Sequence, residues 1–292
     1  MGRSRQNAAS RTRTLLQGCL EGTEADKNGR QGAWEIVSLA RYLREPLWAF
    51  RVADPGTATV LVWKTVRHHF ANWLKLPRND ATAFSIRLDL GAAKPSTISL
   101  RAVGGDITIL YEVFTERAYQ IPDAALPPDT VRTVVDCGAH IGLSALYFAY
   151  RYPRARVIAV EPNPTNFRML AANTAQEPRI TPIQACISDR SGVSHIGLEG
   201  PGWGHRTGSV GVEVAALTLE DICKRFGIGT IDLLKMDVEG AERAVFANGV
   251  GDTRVVAAEL HDDYTIDCFA RDVAPRKVST RKGRDSVFAV PD

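Results

Sequence analysis

From residue 132 onward, short apolar runs alternate with helical patterns, and this alternation restricts the fold more than any other feature of the chain. The apolar runs predict strands at 132–136, 156–161, 179–187, 231–237 and 254–260. Strands that alternate with helices are typical of a parallel sheet wrapped by helical crossovers. Near the end, KVST-RKGRD-SVFAV predicts two strands around a glycine-containing turn. We therefore expect an α/β sheet that is closed by a C-terminal β-hairpin.

Capping signals predict where the helices between these strands begin. One helix is expected to follow Gly142. Asn163, with Pro164 at the first helical position, is expected to open a second helix. Thr218 and Asp221 resemble a capping box before a third, short helix.

The first 105 residues carry no chemical signature of their own. Apolar spacing predicts two helices, from Trp34 to about Trp48 and from about Val60 to Leu74. Strict alternation predicts a hairpin with strands at 84–90 and 98–102, joined by the turn GAAKPS. Asp106 is expected to cap the helix that follows the hairpin.

Composition indicates a soluble protein without a strong preference for nucleic acid. The net charge is +3, and the chain shows no basic stripe with interleaved aromatic residues, so strong nucleic-acid binding is not expected. The five cysteines show no C-x-x-C spacing, which argues against a disulfide framework or a zinc site. No apolar stretch approaches membrane-spanning length, and we expect a cytoplasmic protein.

Acidic residues stand at or just after the ends of the predicted parallel strands. They are Asp136, Glu161, Asp189, Asp237 and Glu259. Ligands of open parallel sheets bind beyond the carboxyl ends of the strands, where the winding reverses. Core packing alone does not explain apolar strands that stop in carboxylates, and together these residues favour a ribose-bearing ligand.

The segment TVVDCGAHIGLSAL, residues 133–146, forms the predicted turn from the first strand into a helix. Asp136, Gly138 and Gly142 give the spacing D-x-G-x-x-x-G, which differs from the dinucleotide pattern G-x-G-x-x-G. Gly138 is expected to let the backbone approach a ligand, and the helix after Gly142 offers free N–H groups to an anion. Glu161, about 20 residues further on, is placed to hold ribose hydroxyls. The glycine spacing and the terminal hairpin count against a nicotinamide-dependent oxidoreductase.

Several segments carry a more specific signal than the glycine turn. They are VVDCGAHIG, AVEPNP, the Ser188–Asp189 pair, LTLEDI and IDLLKMDVEGAE. These segments resemble the FkbM family of S-adenosylmethionine-dependent methyltransferases, over roughly residues 106–261. The resemblance implies a Rossmann-like class I methyltransferase fold with a seven-stranded sheet and S-adenosylmethionine as cofactor. It also implies O-methyl transfer to a hydroxyl of a small molecule or a sugar.

The resemblance further implies which residues bind the cofactor. They are Asp136, Gly138, His140, Gly142, Glu161, Asn163, Ser188, Asp189 and Asp237. Within this set, Glu161 would hold the ribose hydroxyls and Asp189 would lie near the adenine amino group. His140 stands where the family more often carries Asn.

An alcohol is weakly acidic, so a positioned base assists its methylation. The candidate catalytic residues lie at or after the ends of the fourth and fifth predicted parallel strands. They are Lys235, Asp237, Glu239 and His261. Lys235 either has a pKa lowered by partial burial or points to solvent, and His261 either accepts the substrate proton or is a surface histidine. Asp237, Glu259 and His261 could gather a divalent cation, but no spacing rule enforces it, and no metal site is assigned.

The predicted organisation is a disordered basic tail over 1–32, an N-terminal extension of helices and a hairpin over 33–105, and a methyltransferase domain over 106–292. The extension either covers the acceptor pocket or forms a homodimer contact. The glycine-rich loop 197–211, which contains Trp203, is either a lid or a passive connection. Two alternatives stay open: an RNA ribose 2′-O-methyltransferase, and a scaffold that binds S-adenosylmethionine without turnover.

Overall fold

A short N-terminal extension precedes the main sheet in the computed structural model, which describes residues 44–74, 83–90, 95–102, 105–197, 207–208, 211–280 and 286–291. The described part of the extension consists of α1 (44–52), α2 (Pro55–Trp73) and the hairpin strands β1 (Ala83–Leu88) and β2 (Ser96–Arg101). The helix α3 (Asp106–Phe114) follows it. β1 and β2 pair antiparallel, so the predicted hairpin and the second predicted helix are confirmed. The predicted tail and the first helix before residue 44 lie outside the described residues.

The prediction that Asp106 caps α3 is wrong. Gly105 occupies the capping position, and no side chain caps the helix there. Asp106 is the first helical residue, and its carboxylate instead accepts hydrogen bonds from the backbone N–H and the guanidinium of Arg101. Arg101, at the end of the hairpin, therefore binds the Asp106 carboxylate that the sequence pattern assigned to the N-terminal cap of α3.

The remaining elements alternate along the chain. They are β3 (Thr133–Cys137), α4 (Leu143–Arg151), β4 (Arg156–Val160), α5 (Pro164–Thr174), β5 (Ile180–Ile183), β6 (Cys186–Ile187), β7 (Gly192–Ile196), β8 (Thr207–Gly208), β9 (Val212–Leu217), α6 (Leu219–Phe226), β10 (Ile231–Met236), α7 (Glu242–Ala247), β11 (Thr253–Glu259), α8 (Ile266–Asp272), β12 (Lys277–Thr280) and β13 (Ser286–Val290).

Seven of these strands form the central sheet, in the order β12-β13-β11-β10-β3-β4-β5. The strands from β11 to β5 run parallel, whereas β13 is antiparallel to β11 and pairs with β12. The predicted parallel sheet with a terminal hairpin is confirmed. The winding reverses between β3 and β10, and ligands of such sheets bind at this reversal.

The single strand predicted over 179–187 is divided in two. β5 belongs to the central sheet, but β6 pairs with β9 in a separate four-stranded sheet of order β6-β9-β7-β8. Two residues between Ile183 and Cys186 let the chain leave one sheet and join the other. The small sheet was not predicted, and its strands adjoin the glycine-rich loop.

The caps of α5 and α6 agree with the predicted signals. Asn163 accepts hydrogen bonds from the backbone of Thr165 and Asn166, and Pro164 follows it as the first residue of α5. Thr218 and Asp221 form a capping box at the start of α6. Both helices therefore begin where the sequence places them.

Apolar residues cover both faces of the central sheet, because successive side chains of a strand point to opposite faces. Val134 of β3 and Leu233 of β10 belong to one apolar cluster, together with the hairpin residues Ile98 and Leu100. Val135 and its neighbours belong to a second cluster. The hairpin thus packs into the core on the face to which Asp136 and Lys235 also point.

Helices α1 and α2 expose several large apolar side chains. Leu47 is 72% exposed, Trp63 57% and Val66 59%. Exposed apolar side chains that cluster in this way often mark an interaction surface. The homodimer contact remains a prediction for this region. No helix in the described part of the chain is long and apolar enough to cross a membrane.

Candidate active site

A buried lysine joins the ends of the two central strands. Lys235 of β10 lies beside Asp136 of β3 in the sheet register, and its Nζ is 3.5 Å from Asp136 Oδ1. The ammonium also donates hydrogen bonds to the carbonyl oxygens of Gly138 (2.6 Å) and Cys137 (3.3 Å). Because Lys235 is only 1% exposed, its solvent-directed alternative does not hold.

Tyr119 is a site residue that the sequence reasoning missed. Its hydroxyl donates to Asp237 Oδ2 at 3.2 Å and to Glu259 Oε1 at 3.0 Å. The same oxygen of Asp237 lies 3.3 Å from Lys235 Nζ, and the ammonium sits 5.3 Å from the centre of the Tyr119 ring. Lys235 and Tyr119 therefore hold one oxygen of Asp237, while Oδ1 faces the other way, toward His261.

Burial and charge together alter the pKa values in this cluster. Burial raises the pKa of Asp136. Burial is also the main cause that raises the pKa of Glu259 to about 7, and the negative charge of Asp237 adds to it. Burial alone would lower the pKa of Lys235, but the carboxylates of Asp237, Asp136 and Glu259 raise it above its ordinary value. Lys235 thus stays an ammonium at neutral pH, which excludes the role of a neutral base that its burial suggested.

Gly138 brings the turn after β3 against the end of β10. Its φ of +79° is left-handed, and a Cβ atom at this position would lie 1.7 Å from the carbonyl oxygen of Asp237. The close approach expected of Gly138 is therefore made to the backbone that carries Asp237. A glycine is required here because any side chain would displace the candidate catalytic carboxylate.

Glu161 organises a second group of site residues, beyond the end of β4. Its carboxylate is 5% exposed and accepts hydrogen bonds from the backbone N–H groups of His140 (2.9 Å) and Asn163 (3.0 Å). Asn166 Nδ2 donates to the same carboxylate at 3.3 Å. Burial raises the pKa of Glu161 to about 7, although these hydrogen bonds oppose the shift.

The extension contacts this group through Arg101. The Arg101 guanidinium binds Asp106, which is fully buried, and its Nη2 donates to His140 Nε2 at 3.1 Å. Because arginine only donates, Nε2 of His140 accepts. His140 itself has a left-handed backbone, with φ of +50°. The hairpin therefore supports the turn that carries Gly138 and His140.

His261 lies at the end of β11, on the other side of Asp237. Its Nδ1 is 2.7 Å from Glu242 Oε1, and its Nε2 is 3.6 Å from Glu239 Oε2 and 3.9 Å from Asp237 Oδ1. The hydrogen bond to Glu242 raises the pKa of His261 to about 9. His261 therefore carries a proton at neutral pH, which argues against its role as the acceptor of a substrate proton.

The contacts of Ser188 and Asp189 within the described part of the chain do not join them to the groups around Lys235, Glu161 or His261. The Ser188 hydroxyl donates to Asp189, whose carboxylate also pairs with Arg190. The carbonyl of Asp189 accepts from Asn248. Their place near an adenine ring stays a prediction. In the loop 197–211, Trp203, His205 and Arg206 lie outside the described residues, and so does the predicted lid.

The sheet order and the site define a class of protein. A seven-stranded sheet with an antiparallel hairpin at one edge, and with carboxylates above the reversal between β3 and β10, is the class I methyltransferase fold implied by the sequence resemblance.

The comparisons with known proteins give the family. The model of the FkbM methyltransferase domain matches residues 136–265. The 31-O-demethyl-FK506 methyltransferase FkbM of Streptomyces tacrolimicus is 31% identical over 203 residues, which cover 54% of this chain and 76% of that protein. The methyltransferase sdnD of Sordaria araneosa is 31% identical over 175 residues, which cover 47% of this chain and 66% of that protein. The 2-O-methyltransferase NoeI of Sinorhizobium fredii is 28% identical over 169 residues, which cover 49% of this chain and 68% of that protein. The chain belongs to the FkbM family of methyltransferases, and it is an enzyme.

Gly138→Ala is expected to lower both stability and methyl transfer. The left-handed backbone alone costs an L-residue about 1–2 kcal/mol. The clash with the Asp237 carbonyl adds to this and shifts the carboxylate, and a displacement of about 1 Å can cost about 10²-fold in rate. Chemical denaturation and a methyl-transfer assay measure the two effects. Gly229→Ala, where no atom lies within 4 Å of the added methyl, serves as the control. Parental turnover in Gly138→Ala would contradict the close approach.

Proposed function

We propose that the protein transfers the methyl group of S-adenosylmethionine to a hydroxyl of a small molecule or a sugar. The observation that carries this proposal is the excess of carboxylates at four neighbouring strand ends. Asp136, Glu161, Asp237 and Glu259 gather around Lys235, the one buried ammonium in the described part of the chain. Such an anionic edge suits a ligand that carries a sulfonium, an amino group and a ribose diol.

Two features of the donor set fit this cofactor. Asp136 Oδ1 accepts no hydrogen bond from the described residues, and its ion pair with Lys235 is long at 3.5 Å, so this oxygen is suited to the amino group of the methionine part. Glu161 is a buried carboxylate of the kind that holds both ribose hydroxyls, and His140 and Asn163 fix its orientation. The free N–H groups at the start of α4 suit the carboxylate of the methionine part.

Bound S-adenosylmethionine supplies a methyl group that its positively charged sulfur already activates. The protein's task is to align the acceptor oxygen and to exclude water, and alignment can contribute up to about 7–11 kcal/mol. Asp237 is suited to hold the acceptor hydroxyl through Oδ1, because Lys235 and Tyr119 occupy Oδ2. As the new carbon–oxygen bond forms, the bond from the methyl carbon to sulfur would break, S-adenosylhomocysteine would leave, and the acceptor proton would pass to Asp237.

The relatives support a hydroxyl acceptor. Two of them are named for transfer to oxygen, the FkbM protein at position 31 of its substrate and NoeI at a 2-hydroxyl. The net charge of +3 does not favour the open alternative of an RNA acceptor. We further propose that Ser188 and Asp189 lie near the adenine, as the family resemblance implies.

The test is a binding titration followed by a transfer assay. Calorimetry with S-adenosylhomocysteine is expected to give one site per chain, and NAD is expected not to bind. S-adenosylmethionine with a deuterated methyl group is then incubated with separate small-molecule, polysaccharide and RNA fractions, and the products are analysed by mass. A labelled ether in a small-molecule or sugar product supports the proposal. Labelled RNA alone would replace the acceptor class, and binding without transfer to any fraction would favour the scaffold.

Binding of S-adenosylhomocysteine is expected to weaken below pH 7. Because burial raises the pKa of Glu161 to about 7, its carboxylate loses its charge as the pH falls, and the ribose loses an ionised acceptor. If only the ionised form binds, the dissociation constant is about tenfold larger at pH 6 than at pH 8. Calorimetry at both pH values measures this ratio.

The control for this prediction is Glu161→Gln, which is expected to bind weakly with little change between the two pH values. The same pKa shift has the opposite sign for the folding of the free protein. A raised pKa favours folding at low pH, and this contribution is lost as the pH rises through about 7. Equal affinity of the intact protein at pH 6 and pH 8 would contradict the role of Glu161.

A further inference from the structure

We infer that Asp237, Glu239 and His261 form a binding site for a divalent metal cation that holds the acceptor oxygen. The role of the cation rests on the proposed function, but the site itself does not. One donor atom from each of these side chains lies within 4.8 Å of the other two. Each side chain is about one-fifth exposed, so solvent and ions can reach the group beside Asp237 Oδ1.

The spacing of the donor atoms is wider than that of hydrogen bonds and leaves room for an ion between them. His261 Nε2 is 3.9 Å from Asp237 Oδ1 and 3.6 Å from Glu239 Oε2, and both distances exceed a hydrogen bond. Two atoms that each lie about 2.1 Å from one ion are at most about 4.2 Å apart. Both measured separations fall within that limit.

A buried carboxylate outside the group fixes the orientation of the imidazole. Glu242 is 1% exposed, and it accepts the Nδ1 proton of His261 at 2.7 Å. With Nδ1 donating, Nε2 is directed at Asp237 and Glu239, and a cation that binds there displaces the proton that Nε2 carries in the metal-free protein. Metal-binding histidines are oriented in this way, with the second nitrogen donating to a carboxylate.

The same glutamate positions the segment that carries the third ligand. Glu242 accepts hydrogen bonds from the backbone N–H groups of Val238 (3.1 Å) and Gly240 (2.8 Å), the two neighbours of Glu239. Glu239 itself is held in a left-handed conformation, with φ of +58°. One buried side chain thus fixes the imidazole and the Glu239 turn relative to each other.

The ligand set indicates the kind of cation. Two carboxylates and one imidazole suit Mg²⁺ or Mn²⁺ and leave further coordination positions for the acceptor and water. With a cation bound, Asp237 Oδ1 would be its ligand; the cation would hold the acceptor oxygen and lower the pKa of the hydroxyl, so that the proton leaves to water. The structure brings Glu239 into this group in place of Glu259, which the sequence suggested and which is bound by Tyr119 instead.

The test uses Mn²⁺ alone. Protein freed of metal by a chelator is titrated with Mn²⁺ by calorimetry, and the complex is measured by pulsed electron paramagnetic resonance. We expect one Mn²⁺ per chain and a nitrogen modulation from His261 that His261→Asn abolishes. Glu239→Gln and Glu242→Gln are expected to weaken Mn²⁺ binding about 10- to 100-fold. Asp263→Asn, which removes an exposed carboxylate nearby, is expected to leave it unchanged.

S-adenosylhomocysteine is titrated into the same metal-free samples, which also shows that each variant is folded. Absence of Mn²⁺ binding, absence of the nitrogen signal, or parental Mn²⁺ affinity in Glu239→Gln would each overturn this inference. If S-adenosylhomocysteine still binds in that case, the proposed function stands. If Mn²⁺ binds and S-adenosylhomocysteine does not, the proposed function fails and the metal site remains.

Discussion

Asp237→Asn is expected to lower the rate of methyl transfer about 10²- to 10⁴-fold, the range that a positioned proton acceptor supplies. The asparagine amide has nearly the same shape, so Lys235 and Tyr119 can still hold an oxygen at the Oδ2 position. The change removes the charge and basicity of the group that faces the acceptor. Single-turnover kinetics with saturating methyl donor measures the rate directly.

Binding of S-adenosylhomocysteine to Asp237→Asn is expected to change far less than the rate. This difference separates a role in transfer from a role in cofactor binding or folding. Asp263→Asn provides the control, because Asp263 follows the neighbouring strand β11, and its side chain is exposed and pairs with Arg243. Turnover of Asp237→Asn at the parental rate would remove Asp237 from the reaction.

Lys235→Met is expected to lower the free energy of unfolding by about 3–5 kcal/mol at neutral pH, the usual cost of removing one partner of a buried ion pair. The methionine fills similar volume but leaves Asp136 and Asp237 without their shared cation. The carbonyls of Cys137 and Gly138 lose their hydrogen-bond donor as well. Urea denaturation followed by circular dichroism measures this loss.

The destabilisation of Lys235→Met is expected to shrink at acid pH. Burial already raises the pKa of Asp136, so this group favours folding at low pH and loses that effect as the pH rises. Without Lys235 its pKa rises further, and protonation then relieves the unpaired charge. Lys224→Met, which removes an exposed lysine paired with Glu220, is expected to stay within about 0.5 kcal/mol of the parent. A loss that is independent of pH would contradict this account.

The parallel strands could be predicted from the sequence because each is a short apolar run. The residues did not give their order in the sheet, and only the family resemblance implied the seven-stranded fold. The caps at Asn163 and Thr218 act within a few residues of chain, and they form as predicted. The small sheet could not be predicted in the same way. β6 and β8 are two residues long, and no periodic pattern marks a strand of that length.

Contacts distant in sequence account for the site residues that were missed or assigned differently. Tyr119 lies in an irregular segment without a motif, and its partners Asp237 and Glu259 lie 118 and 140 residues further along the chain. The residues on either side of Lys235 did not show whether its side chain is buried or exposed. The register of β10 against β3, which places Lys235 beside Asp136, accounts for its burial. The sequence left His261 as a possible base, because Glu242, which hydrogen-bonds its imidazole, lies 19 residues away in the chain.

The most direct test of this account is a crystal structure of the protein with S-adenosylhomocysteine. The account predicts that the ribose hydroxyls lie on Glu161, that the amino group contacts Asp136, and that the sulfur faces Asp237. A nucleoside bound away from the carboxyl ends of β3 and β4, or a ribose that does not contact Glu161, would contradict it.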